Sequence, residues 1–267
     1  MKKFLLTTLK LLVFFIGWAV TAGLLPVPCE NDPVLWRFFA ELIPFAALAV
    51  FTAVFIIAEK GEVKIPCLRS FVKAAVSGTL TGALWIGAAV GIMLFTGISS
   101  ITKGSTDISP MWFVSAFINV CMQELLIRGY IYQLLKTKYG LPAAVIFTTL
   151  LFTAMHGGAF EAGAVAVINV VTMSLFASAI YEAEGNIFAP IAAHAVWNLL
   201  GALVIGGVSL AEDYPHIYEF TSNGSKLLSG SGYKIEASII VTMLNIILAA
   251  IFFIIAKTKT THKEVSQ

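Results

Sequence analysis

The chain has 267 residues, of which 58% are hydrophobic and only 12% charged, with a formal net charge of +2 and a mean hydropathy of +0.90. A soluble domain carries roughly twice that charged fraction, so the composition excludes an ordinary water-soluble globule and calls for lipid around most of the chain. No basic run with interleaved aromatics is present, which excludes a nucleic-acid partner, and Cys29, Cys67 and Cys121 fit neither a zinc pattern nor a disulfide framework.

A helix needs about 20 mainly apolar residues to cross the hydrocarbon core. In chain order such stretches fall at 5–25, 36–58, 71–97, 110–136, 141–157, 162–182, 187–207 and 236–256. They predict an all-α fold, a polytopic transmembrane bundle of about eight helices in a single membrane domain over 1–267. The first span follows Lys2 and Lys3, and its apolar run LLVFFIGWAVTAGLL is at the upper limit for a signal peptide; it is read as a retained helix. The fifth span is short, with its weak end at the HGG of His156 to Gly158. The segment 208–235 is polar and rich in Gly and Ser, which predicts a flexible connector with at most a short interfacial helix.

Charge sets the orientation. With the N-terminus in the cytoplasm, twelve lysines and arginines fall in inner segments and four, Arg37, Lys103, Lys226 and Lys234, in outer ones, while Arg128 lies within a span. Both termini are therefore expected on the cytoplasmic side.

Ionisable side chains at the bilayer centre cost roughly 2.5–3.5 kcal/mol and persist where they have a partner or a task. Three spans draw attention. The fourth holds Asn119, Gln123, Glu124 and Arg128, with Glu124 and Arg128 four apart on one face and Asn119 and Gln123 forming a second such pair. The fifth ends in His156, and the seventh carries His194 and Asn198, also four apart. Counted from the inner ends of their spans, Glu124, His156, His194 and Asn198 lie about 18, 23, 12 and 18 Å deep. These depths allow convergence near the midplane. The alternatives are a buried ion pair and hydrogen bonds that lock helices together, or the proton relay of a transporter.

A carboxylate and a neutral imidazole can hold and deprotonate a water, while a second imidazole and an amide can stabilise an oxyanion. That set would hydrolyse a peptide bond without a covalent intermediate. Two histidines and a carboxylate could instead hold zinc with water in the open position. No HExxH and no GxSxG motif is present.

Three short motifs carry a resemblance: QELLIR at Gln123 to Arg128, FTAMH at Phe152 to His156, and HAVWN at His194 to Asn198. In order and spacing they resemble the EExxxR, FxxxH and HxxxN motifs of the CPBP intramembrane proteases, also called the CAAX protease and bacteriocin-processing (Abi) family. The resemblance covers about residues 110–202. It implies a membrane-embedded endopeptidase in which His156 activates water, His194 and Asn198 form the oxyanion site, Glu124 is the second motif glutamate and Arg128 its ion-pair partner. Where zinc takes part, His156, His194 and Glu124 would be its ligands. The implied partners are a peptide or membrane-protein substrate, reaching the bundle from the inner leaflet, and the lipid bilayer. One position departs from the pattern: Gln123 stands where the motif has its first glutamate, and an amide can orient water but cannot serve as a base. A non-catalytic, peptide-binding or bacteriocin-immunity protein is the competing expectation.

Overall fold

The computed structural model describes residues 1–104, 107–210 and 214–265. The helices are α1 (Lys2–Leu24), α2 (Pro33–Ala58), α3 (Phe71–Phe95), α4 (Pro110–Leu126), α5 (Tyr132–Tyr139), α6 (Leu141–Met155), α7 (Gly157–Ala162), α8 (Ala164–Glu184), α9 (Phe188–Asn198), α10 (Lys226–Ser229) and α11 (Ile239–Val265). π-helical turns follow α4 at Ile127–Ile131 and α9 at Leu199–Val204. Among the described residues, six helical stretches are long and apolar enough to cross a membrane, and two shorter apolar ones cover Leu141–Met155 and Phe188–Val204. The all-α, polytopic expectation holds.

The fifth span ends at the HGG that marked its weak end: Met155 closes α6 and the chain restarts as the short α7. One feature departs from the expected pattern. The connector is more ordered than its composition suggested: β2 (Tyr218–Ser222) pairs antiparallel with β1 (Ser99–Lys103), from Ser99 opposite Ser222 to Lys103 opposite Tyr218. The partner strands are far apart in sequence, so local patterning carried no sign of the pairing.

The chain divides into two compact units, Met1–Ile65 with Ser109–Thr148, and Pro66–Ile108 with Thr149–Gln267. In the first, Asp32 caps α2 by accepting from the backbone N–H groups of Val34 and Leu35, with Pro33 at the first helical position. Along α1, Leu5, Leu9, Val13, Ile16 and Val20 form an exposed apolar face, whereas Phe14 and Trp18 are buried. That is the division expected of a helix with one face toward lipid. Trp18 Nε1 donates to the Pro44 carbonyl at 2.9 Å and joins α1 to α2. Phe14, Phe55 and Tyr130 pack with ring centroids 4.9–5.2 Å apart. The Tyr130 hydroxyl donates to Glu59 at 2.7 Å, and Lys10 meets the same oxygen at 2.7 Å. These contacts hold the π-helical turn after α4 against α1 and α2. Outside the spans, Lys138 Nζ donates to Glu62 at 2.6 Å and holds that carboxyl below its ordinary range.

In the second unit α3 and α9 approach closely over two glycines. A Cβ at Gly78 would stand 2.2 Å from the Ala189 carbonyl oxygen, and one at Gly82 would stand 2.6 Å from that of Ala193. Small residues four apart on both helices give the intimate packing that replaces hydrophobic drive inside a membrane. Above that contact Trp85 stacks on Trp197 with centroids 3.9 Å apart, and Phe176 meets Trp85 edge-on at 5.1 Å. Helices α8 and α11 are joined by polar groups instead. Asn169 Nδ2 donates to the carbonyls of Glu236 and Ser238 at 2.8 and 2.9 Å, and Thr242 Oγ1 donates to Asn169 Oδ1. Asn245 Nδ2 donates to the Asn169 carbonyl at 3.2 Å and to Thr172 at 3.1 Å.

Candidate active site

The first motif lies at the end of α4 in the first unit. Glu124 and Arg128 are both fully buried, and Arg128 Nη1 meets Glu124 Oε1 at 3.3 Å. The expected four-residue pairing is therefore formed. Such a pair offsets part of the cost of burying both side chains, whereas removing either partner would strand the other. Arg128 sits within the π-helical turn, where Gly129 has non-helical geometry. The third motif is likewise followed at once by a π-helical turn, beginning at Leu199 after Asn198. Such turns recur at functional sites because they free backbone groups and re-aim side chains.

The second expected pair is also formed, and it continues further than the sequence reading reached. Gln123 Nε2 donates to Asn119 Oδ1 at 2.6 Å, Asn119 Nδ2 donates to Glu41 Oε2 at 2.8 Å, and Arg37 meets Glu41 at 3.2 Å. Glu41 is a buried glutamate inside the second span, which was not among the three singled out. Its signal in the sequence was RFFAE, an arginine and a glutamate four apart in an apolar run. Glu41 thus lies two hydrogen bonds from Gln123.

The second and third motifs lie in the second unit. The break after Met155 leaves His156 non-helical (φ −97°, ψ 63°), with its Nδ1 2.7 Å from the Phe152 carbonyl oxygen. A carbonyl only accepts, so Nδ1 carries the proton and a neutral His156 has Nε2 as its accepting nitrogen. That is the tautomer a water-activating base requires. His194 and Asn198 are buried one turn apart on α9. The Phe152 ring brings the two motif histidines together: its centroid lies 4.1 Å from that of His156 and 6.3 Å, edge-on, from that of His194. The phenylalanine of the second motif is thus a shared wall for histidines from two helices.

Several contacts fix the start of α9. Gly185 ends α8 in a left-handed conformation (φ 62°). Buried Asn186 accepts from the Phe188 N–H at 2.9 Å and donates to the carbonyls of Cys67 and Arg69 at 3.0 and 2.9 Å. This turn and the Gly78–Gly82 contact set where α9 presents His194.

His156 lines a cavity of about 350 Å³ together with Glu161 of α7, Ser209, Tyr233 and Glu236, with Met155 and Val170 as apolar surface. Glu236 Oε2 accepts from the Ser209 N–H at 2.7 Å. Neither Glu161 nor Glu236 was singled out in the sequence, because each sits in a short polar segment with no motif spacing. Among the described residues no three His, Cys, Asp or Glu side chains stand together as metal ligands. Cys29, Cys67 and Cys121 are free thiols, as their spacing implied.

Comparison with known proteins gives one family. Residues 105–200 match the family described as type II CAAX prenyl endopeptidase Rce1-like. No curated protein and no solved structure matches the chain. The matched segment contains all three motifs. With six membrane-length helices it supports an integral, multi-pass membrane protein and, in general terms, an intramembrane endopeptidase acting on a peptide in a lipid bilayer. Through residues 105–200 the chain matches the Rce1-like type II CAAX prenyl endopeptidases, the intramembrane-protease family to which its motifs pointed.

Proposed function

We propose that the protein hydrolyses a peptide bond within the membrane, using Glu124 and His156 to activate water and His194 and Asn198 to stabilise the tetrahedral oxyanion. The observation that carries this reading is the shared phenylalanine. Phe152 contacts both motif histidines, and His156 is held in the tautomer that leaves Nε2 as the acceptor beside a cavity large enough for peptide side chains. In the reaction, water oxygen attacks the carbonyl carbon and its proton passes to a base, His156 Nε2 or Glu124. The C–N bond then breaks, and that proton leaves on the new amine. General-base assistance of this kind is worth about 10²–10⁴-fold, and a single oxyanion donor about 10²–10³-fold.

Gln123 takes the positioning part. Its Nε2 is committed to Asn119, and its Oε1 is buried without a hydrogen-bond partner among the described residues, so it suits an acceptor for a water or a peptide N–H. The cavity beside His156 is lined by Ser209 and Tyr233 of the connector and by Glu236 directly after it, on the side that charge assigns to the exterior. The reading therefore takes peptide access from that end instead of the inner leaflet. The family name refers to prenylated CAAX proteins; the substrate here need carry no prenyl group.

Hydrolysis in ¹⁸O-enriched water tests the proposal. The purified chain in liposomes, given a library of membrane-spanning peptides, is expected to yield fragments with one ¹⁸O in each new carboxyl group. A library recovered intact while still bound to the protein would favour the non-catalytic, peptide-binding reading.

A further inference from the structure

A second cavity, of about 540 Å³, lies wholly within the first unit, at the start of α1 and the ends of α2 and α5. Five lysines line it, Lys2, Lys3, Lys10, Lys60 and Lys138, against only two carboxylates, Glu59 and Glu62. Both carboxylates are already engaged: Glu59 by Lys10 at 2.7 Å and by the Tyr130 hydroxyl, and Glu62 by Lys138 at 2.6 Å. These pairs form fixed walls. Lys3 donates to the Lys138 carbonyl at 2.6 Å and lies over the face of Tyr139. Lys2, Lys3 and Lys60 thus have no carboxylate partner among the described residues.

Three excess positive charges around one partly enclosed space repel each other and favour an anion. The surroundings indicate its kind. Leu6 lines the cavity and is itself half-exposed, and from it the exposed apolar face of α1 continues through Leu9, Val13 and Ile16. A basic pocket at the end of membrane helices, continuous with a lipid-facing apolar stripe, matches an amphiphile with an anionic head. We propose that this cavity binds the phosphate of an anionic phospholipid headgroup, with the acyl chains lying on the α1 face that begins at Leu6. The site is separate from the motif residues and does not depend on the proposed hydrolysis.

The full chain in nonionic detergent, followed by its thermal unfolding midpoint, tests this with three probes: phosphatidylglycerol, phosphatidylcholine and glycerol 3-phosphate. Phosphatidylglycerol is expected to raise the midpoint saturably and phosphatidylcholine to leave it unchanged. Glycerol 3-phosphate, lacking chains, is expected to act only at far higher concentration. Near a membrane surface each lysine contributes about fivefold in affinity. Lys60→Gln should then weaken the phosphatidylglycerol effect about fivefold, and the combined Lys2→Gln, Lys3→Gln, Lys60→Gln variant about 100-fold. A Lys64→Gln, Lys73→Gln control, at exposed lysines outside the cavity, should titrate like wild type. Equal response to the two lipids, or wild-type affinity in both cavity variants, would overturn the proposal. Glycerol 3-phosphate as potent as the lipid would mean a soluble anion is the ligand and overturn the lipid assignment.

Discussion

Glu41 dictates how the amides of the first motif point. A carboxylate only accepts, so Asn119 must turn its Nδ2 toward Glu41, which leaves Asn119 Oδ1 to receive the Gln123 Nε2. A glutamate at position 123 would set a second acceptor against Asn119 Oδ1, and flipping Asn119 would set its oxygen against Glu41. Gln123 therefore fits this network where the family's usual glutamate would not. Gln123→Glu alone is expected to destabilise the protein by about 1–3 kcal/mol. Adding Glu41→Gln should recover much of that loss, because an amide at 41 can donate and let Asn119 reverse. Chemical denaturation of the two single variants and the double variant measures the coupling; strictly additive effects would contradict the network. The motif residues themselves were legible from spacing alone: Glu124 with Arg128, and Asn119 with Gln123, pair as their four-residue separation requires. The link from Glu41 to Asn119 was not, because the two lie 78 positions apart and nothing local marks that distance.

Helix α9 is placed by its neighbours rather than by its own length. Between Phe188 and Asn198 it has too few residues to span alone, and its position rests on the Asn186 turn and on the glycines of α3. Gly78→Ala or Gly82→Ala would drive a methyl group into the Ala189 or Ala193 backbone. Each is expected to cost about 1–3 kcal/mol and to lower turnover by displacing His194. Gly87→Ala and Gly91→Ala, where a Cβ meets nothing within 4 Å, should be neutral. Equal behaviour of all four in thermal unfolding would show that the close approach of α3 and α9 does not matter. This contact was open to sequence reading as glycines four apart in an apolar span. The β1–β2 pairing and the polar join of α8 to α11 were not, since both depend on which distant segments meet. For that join, Asn169→Leu should destabilise by several kcal/mol, because it leaves the Glu236 and Ser238 carbonyls and Thr242 without their partner.

At the scale of the whole molecule, composition was enough for the membrane class, and hydropathy for most of the crossing helices. The break between Met155 and Gly157 falls at the HGG that the sequence marked as the weak end of its span. The orientation drawn from charge has a direct check in the free thiols. With the N-terminus inside, exposed Cys29 follows the first span on the outer side and Cys67 lies in an inner segment. A membrane-impermeant maleimide should label Cys29 on intact cells and reach Cys67 only after permeabilisation. The reverse pattern would invert the topology and, with it, the side from which a peptide reaches His156.

The central claim is that this membrane bundle cuts peptides with Glu124 and His156. Its most direct measurement is the single-turnover cleavage rate of one membrane peptide in liposomes by wild type, Glu124→Gln and His156→Ala, with folding verified for each. The account predicts a measurable wild-type rate that falls by about 10²–10⁴-fold in both variants. Equal rates in all three proteins would contradict it.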